Sequence, residues 1–191
     1  MNFEDKVKSG EIYFEDEYPE NLIEENSELM ELLYDLNCCR PKEIEKKNSI
    51  LKKLFAEYGE ECIIYTPFHA SWGKNIHMKD HVYLNYNVTI IDDTDVYIGS
   101  HVMIAPNVVI STASHPLEPD LRYKKAEFNK PVVIEDNVWI GANSVILCGV
   151  HIGKNSVIGA GSIVTKDIPD NVVAVGSPCK VIKKLKIGDC S

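Results

Sequence analysis

Apolar residues recur at every sixth position through most of this chain, and that period limits its fold more than any other feature. Written in sixes from Trp72, the sequence puts Trp72, Met78, Leu84 and Ile90 in one column. After two extra residues the column resumes as Ile98, Ile104 and Ile110. After a longer break it returns as Phe128, Ile134, Ile140, Ile146, Ile152, Ile158 and Val164. Four positions after each of these, the residues are small or β-branched: Ile76, Val82, Val88, Thr94, Val102 and Val108, then Val132, Val138, Ser144, Val150, Ser156 and Ser162. A period of six matches neither a 3.6-residue helix nor the less regular turn spacing of a hairpin meander. It matches short strands joined by sharp turns at one phase, stacked as flat coils with one side chain per strand pointing inward. Three positions after each first-column residue stand Asn75, Asn87, Asn107, Asn137, Asn143 and Asn155, with Gly149, Gly161, Asp93 and Asp167. These are residue types that tolerate left-handed backbone angles. Gly73, Gly99, Gly141, Gly153 and Gly159 share a second phase.

Two helices should precede the repeat, over residues 19–59. Pro19 suits an opening turn, and Leu22, Leu29, Leu32, Leu33 and Leu36 recur at helical spacing. Pro41 opens the second helix, whose apolar face is Ile44, Leu51, Leu54, Phe55 and Tyr58, with Gly59 as its stop. A hairpin of this size cannot stand alone, so it should pack on the coils. The expected organisation is a helical module at 1–59, a β-helix at 60–170 and a tail at 171–191.

The main break in the repeat runs from Pro116 to Glu127, with His115 just before it. A stack of coils gains nothing from a loop pushed outward, so such a loop points to function. The chain carries a net charge of −9, which argues against a nucleic-acid partner. It has no apolar run long enough to span a bilayer, and its start lacks the features of a signal peptide. The cysteines, Cys38, Cys39, Cys62, Cys148, Cys179 and Cys190, form no CxxC pair. That spacing favours free thiols in a reducing cytoplasm over zinc or a disulfide framework. His77, His81, His101 and His151 fall at turn or outward phases and His69 precedes the repeat. His81 and His101 share a turn phase, but no three histidines converge, so no metal site is expected.

The hexads resemble those of the hexapeptide-repeat acyltransferases. Longer stretches narrow the likeness: NYNVTIIDD (85–93), IAPNVVI (104–110), His115-Pro116 with Arg122 beyond, NVWIGANSVI (137–146) and GAGSIVTKDIPDNVVAVGSPCKVI (159–182). With Ser9 to Tyr13 and Gly59-Glu60 near the start, they resemble the maltose/galactoside O-acetyltransferases over about residues 6–184. The resemblance implies a mainly β fold, a left-handed parallel β-helix of hexads with an N-terminal helical hairpin. It also implies a homotrimer with active sites between adjacent prisms. The implied reaction is acetyl transfer from acetyl-CoA to a hydroxyl of a small sugar of maltose, glucose or galactoside type. A non-sugar acceptor such as serine or a xenobiotic is the alternative, and a metal-dependent hydratase a more distant one.

Residue by residue, the resemblance makes His115 the general base, a role an imidazole suits near neutral pH. Asn85, Asp93 and Ser71 match acceptor contacts, and a further acidic contact belongs at Glu15 or Asp16. Trp139 falls at an outward phase and would line the cleft near the donor. Ala142 supplies a backbone N–H for the thioester oxyanion. Gly159 and Ala160 would admit the pantetheine arm, and Thr165 and Lys166 would lie nearer the nucleotide. Lys180 and Lys183 stand where relatives often carry arginine for the CoA phosphates. Lysine brings charge there without a bidentate fork.

Overall fold

The structure, a computed structural model, describes residues 2–186. Its body is a parallel β-helix of triangular section. The first face holds Glu57–Tyr58, Ile76–Met78, Val96–Ile98, Val132–Ile134 and His151–Ile152. The second holds Ile63–Ile64, Tyr83–Leu84, Met103–Ile104, Trp139–Ile140, Val157–Ile158 and Val172–Val175, with Lys180–Lys184 antiparallel at its end. The third holds Phe68–Ala70, Val88–Ile91, Val109–Ser111, Val145–Ile146 and Ile163–Val164. Five coils are complete and a sixth is begun by the Ile152–Ile168 bridge and Val172–Val175.

The strands are this short because each hexad buries side chains at two positions before it must turn. Val88 with Ile90, Val108 with Ile110, and Val138 with Ile140 are all inaccessible to solvent, so the expectation of one inward side chain per strand is too low. The second position sits at the turn, where the section narrows and a valine or serine fits. Ser144, Ser156 and Ser162 take it in the last coils and donate to the carbonyls of Gly141, Pro169 and Gly159 at 2.7, 2.7 and 2.5 Å. A buried hydroxyl is tolerable only with such an acceptor.

The turns divide by corner. Between the first and second faces, Glu61, His81, His101, Asn137, Asn155 and Asn171 adopt φ of 55–60°. Between the second and third faces, Asn87, Asn107 and Asn143 do so at 58–59°, with Gly161 at 70°. Asparagine amides then bond along the stack, Asn137 to Asn155 at 3.0 Å and Asn155 to Asn171 at 2.9 Å. Asn75, Asp93 and Asp167 share the sequence phase but have no positive φ; they lie at the third corner, which is built differently.

That corner, between the third and first faces, carries the irregularities near the head of the stack. Met78 pairs with Ile98, Leu84 with Ile104 and Ile90 with Ile110, a coil of 20 residues; Ile134 pairs with Ile152, Ile140 with Ile158 and Ile146 with Val164, a coil of 18. The two extra residues of the early coils lie after Ala70 and after Ile90, and the long excursion follows Ser111 at the same corner. Ala70, not Trp72, therefore pairs with Ile90 on the third face, while Trp72 belongs to the insertion. Phe128 likewise stands outside the register. It lies on a strand, Ala126–Asn129, that pairs antiparallel with Ala113–Ser114 on one side and Tyr13–Phe14 on the other.

Helix α1, Phe3–Ser9, was not expected from its seven residues; Asn2 caps its start and Gly10, at φ 80°, its end. Helices α2, Glu20–Cys38, and α3, Ile44–Leu54, form the expected hairpin. They close the first coil, Leu36, Leu51 and Leu54 joining Phe68 and Ile76 in one apolar cluster. The Asn37 amide anchors α2 by bonding Phe68 N–H and C=O, both at 2.8 Å. Helix α3 stops at Phe55, and Glu57–Tyr58 is already the first rung, so Gly59 is a coil turn and not a helix stop. None of the helices among the described residues is long and apolar enough to cross a membrane.

Candidate active site

Asp92 builds the irregular corner. Its buried carboxylate accepts the backbone N–H groups of Ser71 at 3.1 Å, Trp72 at 2.9 Å and Asn75 at 3.3 Å, tying the first insertion to the second. Burial pushes its pKa up to about 7, against the pull of those donors. With Asp92 turned inward, the next side chain, Asp93, faces the other way, into a hollow of about 240 Å³ shared with Phe3, Tyr18, Trp72, Lys74 and Asn75. A second hollow, about 460 Å³, shares Tyr18 and Trp72 and adds Glu15, Asn26 and Ser71. Tyr18 and Trp72 stack with centroids 6.2 Å apart, and the Asn26 amide holds the Ser71 carbonyl at 2.8 Å. Ser71, Asp93 and Trp72 thus come together although the sequence separates them by a coil.

His115 ends the Ala113–Ser114 strand, one coil below Asp93 at the same corner. Its Nδ1 lies 2.9 Å from the Ala126 carbonyl. A carbonyl only accepts, so Nδ1 carries the hydrogen and the neutral ring presents its lone pair at Nε2. The loop behind it is a short helix, α4, Pro119–Tyr123, capped by Glu118. The Arg122 guanidinium folds back on the Pro116 and Leu117 carbonyls and braces the His115-Pro116 turn.

Asp93 feels both His115 and a residue the sequence reading missed, Glu127. Burial first, then the charge of Glu127, raises the Asp93 pKa to about 6, while the Ser71 hydroxyl and His115 work the other way. Glu127 accepts from the Tyr13 hydroxyl at 3.0 Å across the strand pair. No sequence spacing announces it, because Tyr13 and Glu127 meet only once the first strand docks on the loop. Tyr18 was missed for the same reason. Of the two acidic candidates near the start, Glu15 borders the Ser71 hollow and pairs with Lys125 at 2.5 Å. Asp16 borders, with Glu15, a different hollow beneath Tyr123 to Lys125.

The remaining candidates lie elsewhere on the prism. Asn85, Ala142, Gly159 and Ala160 follow second-face strands and occupy the corner between the second and third faces. Trp139, 49 % exposed, lies on the second face in the ladder that continues through Val157 and Val173 to Lys183. Lys180 pairs with Val175 at the end of that face. Glycine here serves the stacking of coils: a Cβ on Gly141 would lie 2.5 Å from the Ala160 nitrogen of the next coil. Thr165 and Lys166, by contrast, follow a third-face strand, at the corner of His115 but two coils further on. Asn85 is therefore parted from Ser71 and Asp93, with which sequence reasoning grouped it, and one whole face separates it from His115. His81 and His101 stack at 4.6 Å, but no cluster of three metal-ligating residues occurs among the described residues. The described cysteines are free thiols; Cys190 and the end of the basic tail lie outside the described residues.

A β-helix of hexads, irregular at one corner that carries Ser71, Asp93 and His115, defines a hexapeptide-repeat enzyme. Residues 131–166 match the family model described as the hexapeptide repeat of succinyl-transferase. A galactoside O-acetyltransferase of Lactococcus lactis is 50% identical over 185 residues, 96% of this chain and 88% of its own length. That of Escherichia coli is 44% identical over 189 residues, 99% of this chain and 92% of its own. Among solved structures, a galactoside acetyltransferase in complex with coenzyme A superposes with a TM-score of 0.92 at 43% identity, covering 97% of this chain and 92% of that one. A maltose O-acetyltransferase from Clostridium difficile gives 0.93 at 42% identity, covering 97% and 98%. The chain belongs to the maltose/galactoside O-acetyltransferase family of hexapeptide-repeat acyltransferases, and it is an acetyltransferase.

Proposed function

We propose that this enzyme transfers acetyl from acetyl-CoA to a hydroxyl of a small sugar, with His115 as general base, in a homotrimer whose sites form between neighbouring chains. The observation that carries this reading is the division of the candidate residues between two corners. Ser71, Asp93 and His115 occupy one, and Asn85, Ala142, Gly159 and Ala160 the next. One hexad of extended chain, up to ~20 Å, separates adjacent corners, too far for one sugar hydroxyl and one thioester to meet across it. Three prisms packed side by side around a threefold axis would bring the first corner of one chain against the second corner of the next.

The donor side fits an anionic thioester. The small side chains of Ala142 and Ala160 leave room for a narrow arm, and Lys180 and Lys183 supply charge at the foot of the second face. Acetyl-CoA is the cosubstrate and supplies an activated acyl group. On the acceptor side, Asp93 and Ser71 orient the sugar by accepting its hydroxyl hydrogens. His115 Nε2 takes the proton of the attacking hydroxyl as the C–O bond forms, and returns it to the sulfur as the C–S bond breaks. Above pH about 6 Asp93 is ionised, and its charge favours the imidazolium that His115 becomes. The backbone N–H of Ala142 would meet the oxygen that turns negative. The free thiols suit a reducing cytoplasm.

Free-thiol release from acetyl-CoA across sugars, amino acids and chloramphenicol tests the acceptor class, and turnover confined to non-sugars would refute it. Mixed trimers test the site. A His115→Ala chain and an Ala160→Trp chain, whose ring would block the donor corner from an exposed position, should each be inactive alone and regain about a quarter of normal activity when refolded together, because a quarter of random neighbour pairs unite the two intact corners. No recovery in verified mixed trimers would place the site within a single chain.

A further inference from the structure

We propose that Lys74 is a positioning residue for the acceptor: its ammonium ties α1 and α2 to the first insertion and holds the Trp72 ring as a wall for the sugar. The inference rests on the sugar acetyltransferase reading above and adds a residue to its acceptor side.

Trp72 needs such a hold. It stands in the insertion after Ala70, outside the strand ladders, so no register fixes its ring. Asp92 accepts its backbone N–H at 2.9 Å, which sets the main chain and leaves the indole to its neighbours. Tyr18 stacks on it with planes 13° from parallel. Lys74 Nζ lies 5.1 Å from the ring centroid, within the range of a cation–π contact. Gly73, at φ 81°, turns the chain between the two residues.

The same ammonium reaches both helices. It pairs with Glu25 of α2 at 2.5 Å and with Glu4 of α1 at 3.3 Å. One side chain thus joins three segments that share no sheet. The other cation lining the smaller hollow, Lys8, pairs with Asp95 at 3.2 Å instead.

Trp72 and Tyr18 line both hollows, the one that holds Asp93 and the one that holds Ser71, so a shift of the indole alters both sides of the proposed acceptor site. A sugar ring packs its C–H face on an aromatic ring, and an indole free to swing would first have to be ordered, at a cost to binding. Ion pairs to carboxylates as exposed as Glu4 and Glu25 add little to the fold. Their loss should therefore be read in acceptor binding more than in melting.

Lys74→Met, which keeps the stem and removes the charge, is the test, with Lys74→Arg as the variant that keeps the charge. In Lys74→Met the KM for the sugar should rise roughly 10-fold, with kcat within about 2-fold of wild type and KM for acetyl-CoA unchanged. Lys74→Arg should recover most of that loss. Added salt should raise the acceptor KM of the wild type more than that of Lys74→Met, because it screens the pairs the variant already lacks. The ring itself is followed by acrylamide quenching in a Trp139→Phe background, where Trp72 is the only tryptophan. Quenching should be stronger with methionine at position 74 than with lysine or arginine. A Lys74→Met enzyme with unchanged acceptor KM and unchanged quenching would overturn the inference, as would a fall in kcat at unchanged KM. Should Lys74→Met fail to fold, a Glu4→Gln/Glu25→Gln double variant takes its place, and an acceptor KM equal to wild type would overturn the inference there too. A wild type inactive on every sugar would overturn the sugar reading instead, while the quenching comparison, which needs no acceptor, would still judge the hold of Lys74 on Trp72.

Discussion

Replacing His115 with alanine probes the chemistry with little disturbance of the fold, and the structure supplies both magnitudes. The side chain makes one hydrogen bond, 2.9 Å from Nδ1 to the Ala126 carbonyl, and lies at the surface of the corner. Losing that bond should cost about 1–3 kcal/mol, because Ala126 is fully buried and its carbonyl is left without this partner. For a chain of this size that lowers the melting temperature by about 2–12 °C. Loss of a general base should lower kcat by roughly 10²–10⁴-fold, about 3–5 kcal/mol of barrier. CoA affinity should be unchanged, since the proposed donor residues stand on another corner. The assay is steady-state thiol release at saturating acetyl-CoA and sugar, with CoA binding and melting followed on the same preparation. His115→Asn is the companion variant: its amide can still donate to Ala126 but is no base, so it should match alanine in rate and wild type in stability. A kcat within 10-fold of wild type in either variant would refute the assignment of the base.

Two further predictions concern stability. Ile104 is fully buried in the second face between Leu84 and Ile140, and Ile104→Ala should cost about 2–5 kcal/mol in denaturant unfolding without altering the pH profile of the remaining activity. Asp92 and Asp93 have folded-state pKa values raised by burial to about 7 and about 6, so between pH 4 and 7 the folded chain binds protons that the unfolded chain has released. Stability is then greatest at the acid end of that window and is lost as pH rises through it, with about 4 kcal/mol as the upper bound for Asp92 alone. Glu17, paired with Lys6, is lowered from its ordinary value and so contributes with the opposite sign. Asp92→Asn should flatten the slope in pH-dependent unfolding, and an unchanged slope would show that Asp92 does not titrate there.

The hexad period sufficed for the core because burial in a flat coil depends on local order alone. Ile134, Ile140, Ile146, Ile152 and Ile158 point inward wherever the neighbouring coil stands. The same logic failed at Trp72 and Phe128, whose phase was extended by counting across insertions. It also failed at the start of the first coil, where Tyr58 falls in step with the apolar face of α3 and reads as helix although it lies on the first rung. Asp93 shows the limit at the site. Its type and phase suited a left-handed turn, yet its backbone is not left-handed, and what sets it apart is the inward Asp92 beside it. Glu127 and Tyr18 were invisible for a different reason. Glu127 meets Tyr13 across more than a hundred residues, and Tyr18 reaches Trp72 only once the first strand has docked on the prism.

The sequence by itself determined the prism, the break at His115 and the small-residue surface around Gly141, because each follows from which residue types a repeating coil admits. Only the tertiary structure decided which of these meet. Stacking coils of 20 and 18 residues puts the insertions of separate coils at one corner, gathers Ser71, Asp93, His115 and Glu127 there, and carries Asn85 to the next. Corner membership depends on the accumulated lengths of coils already closed, a sum over contacts that no local pattern contains.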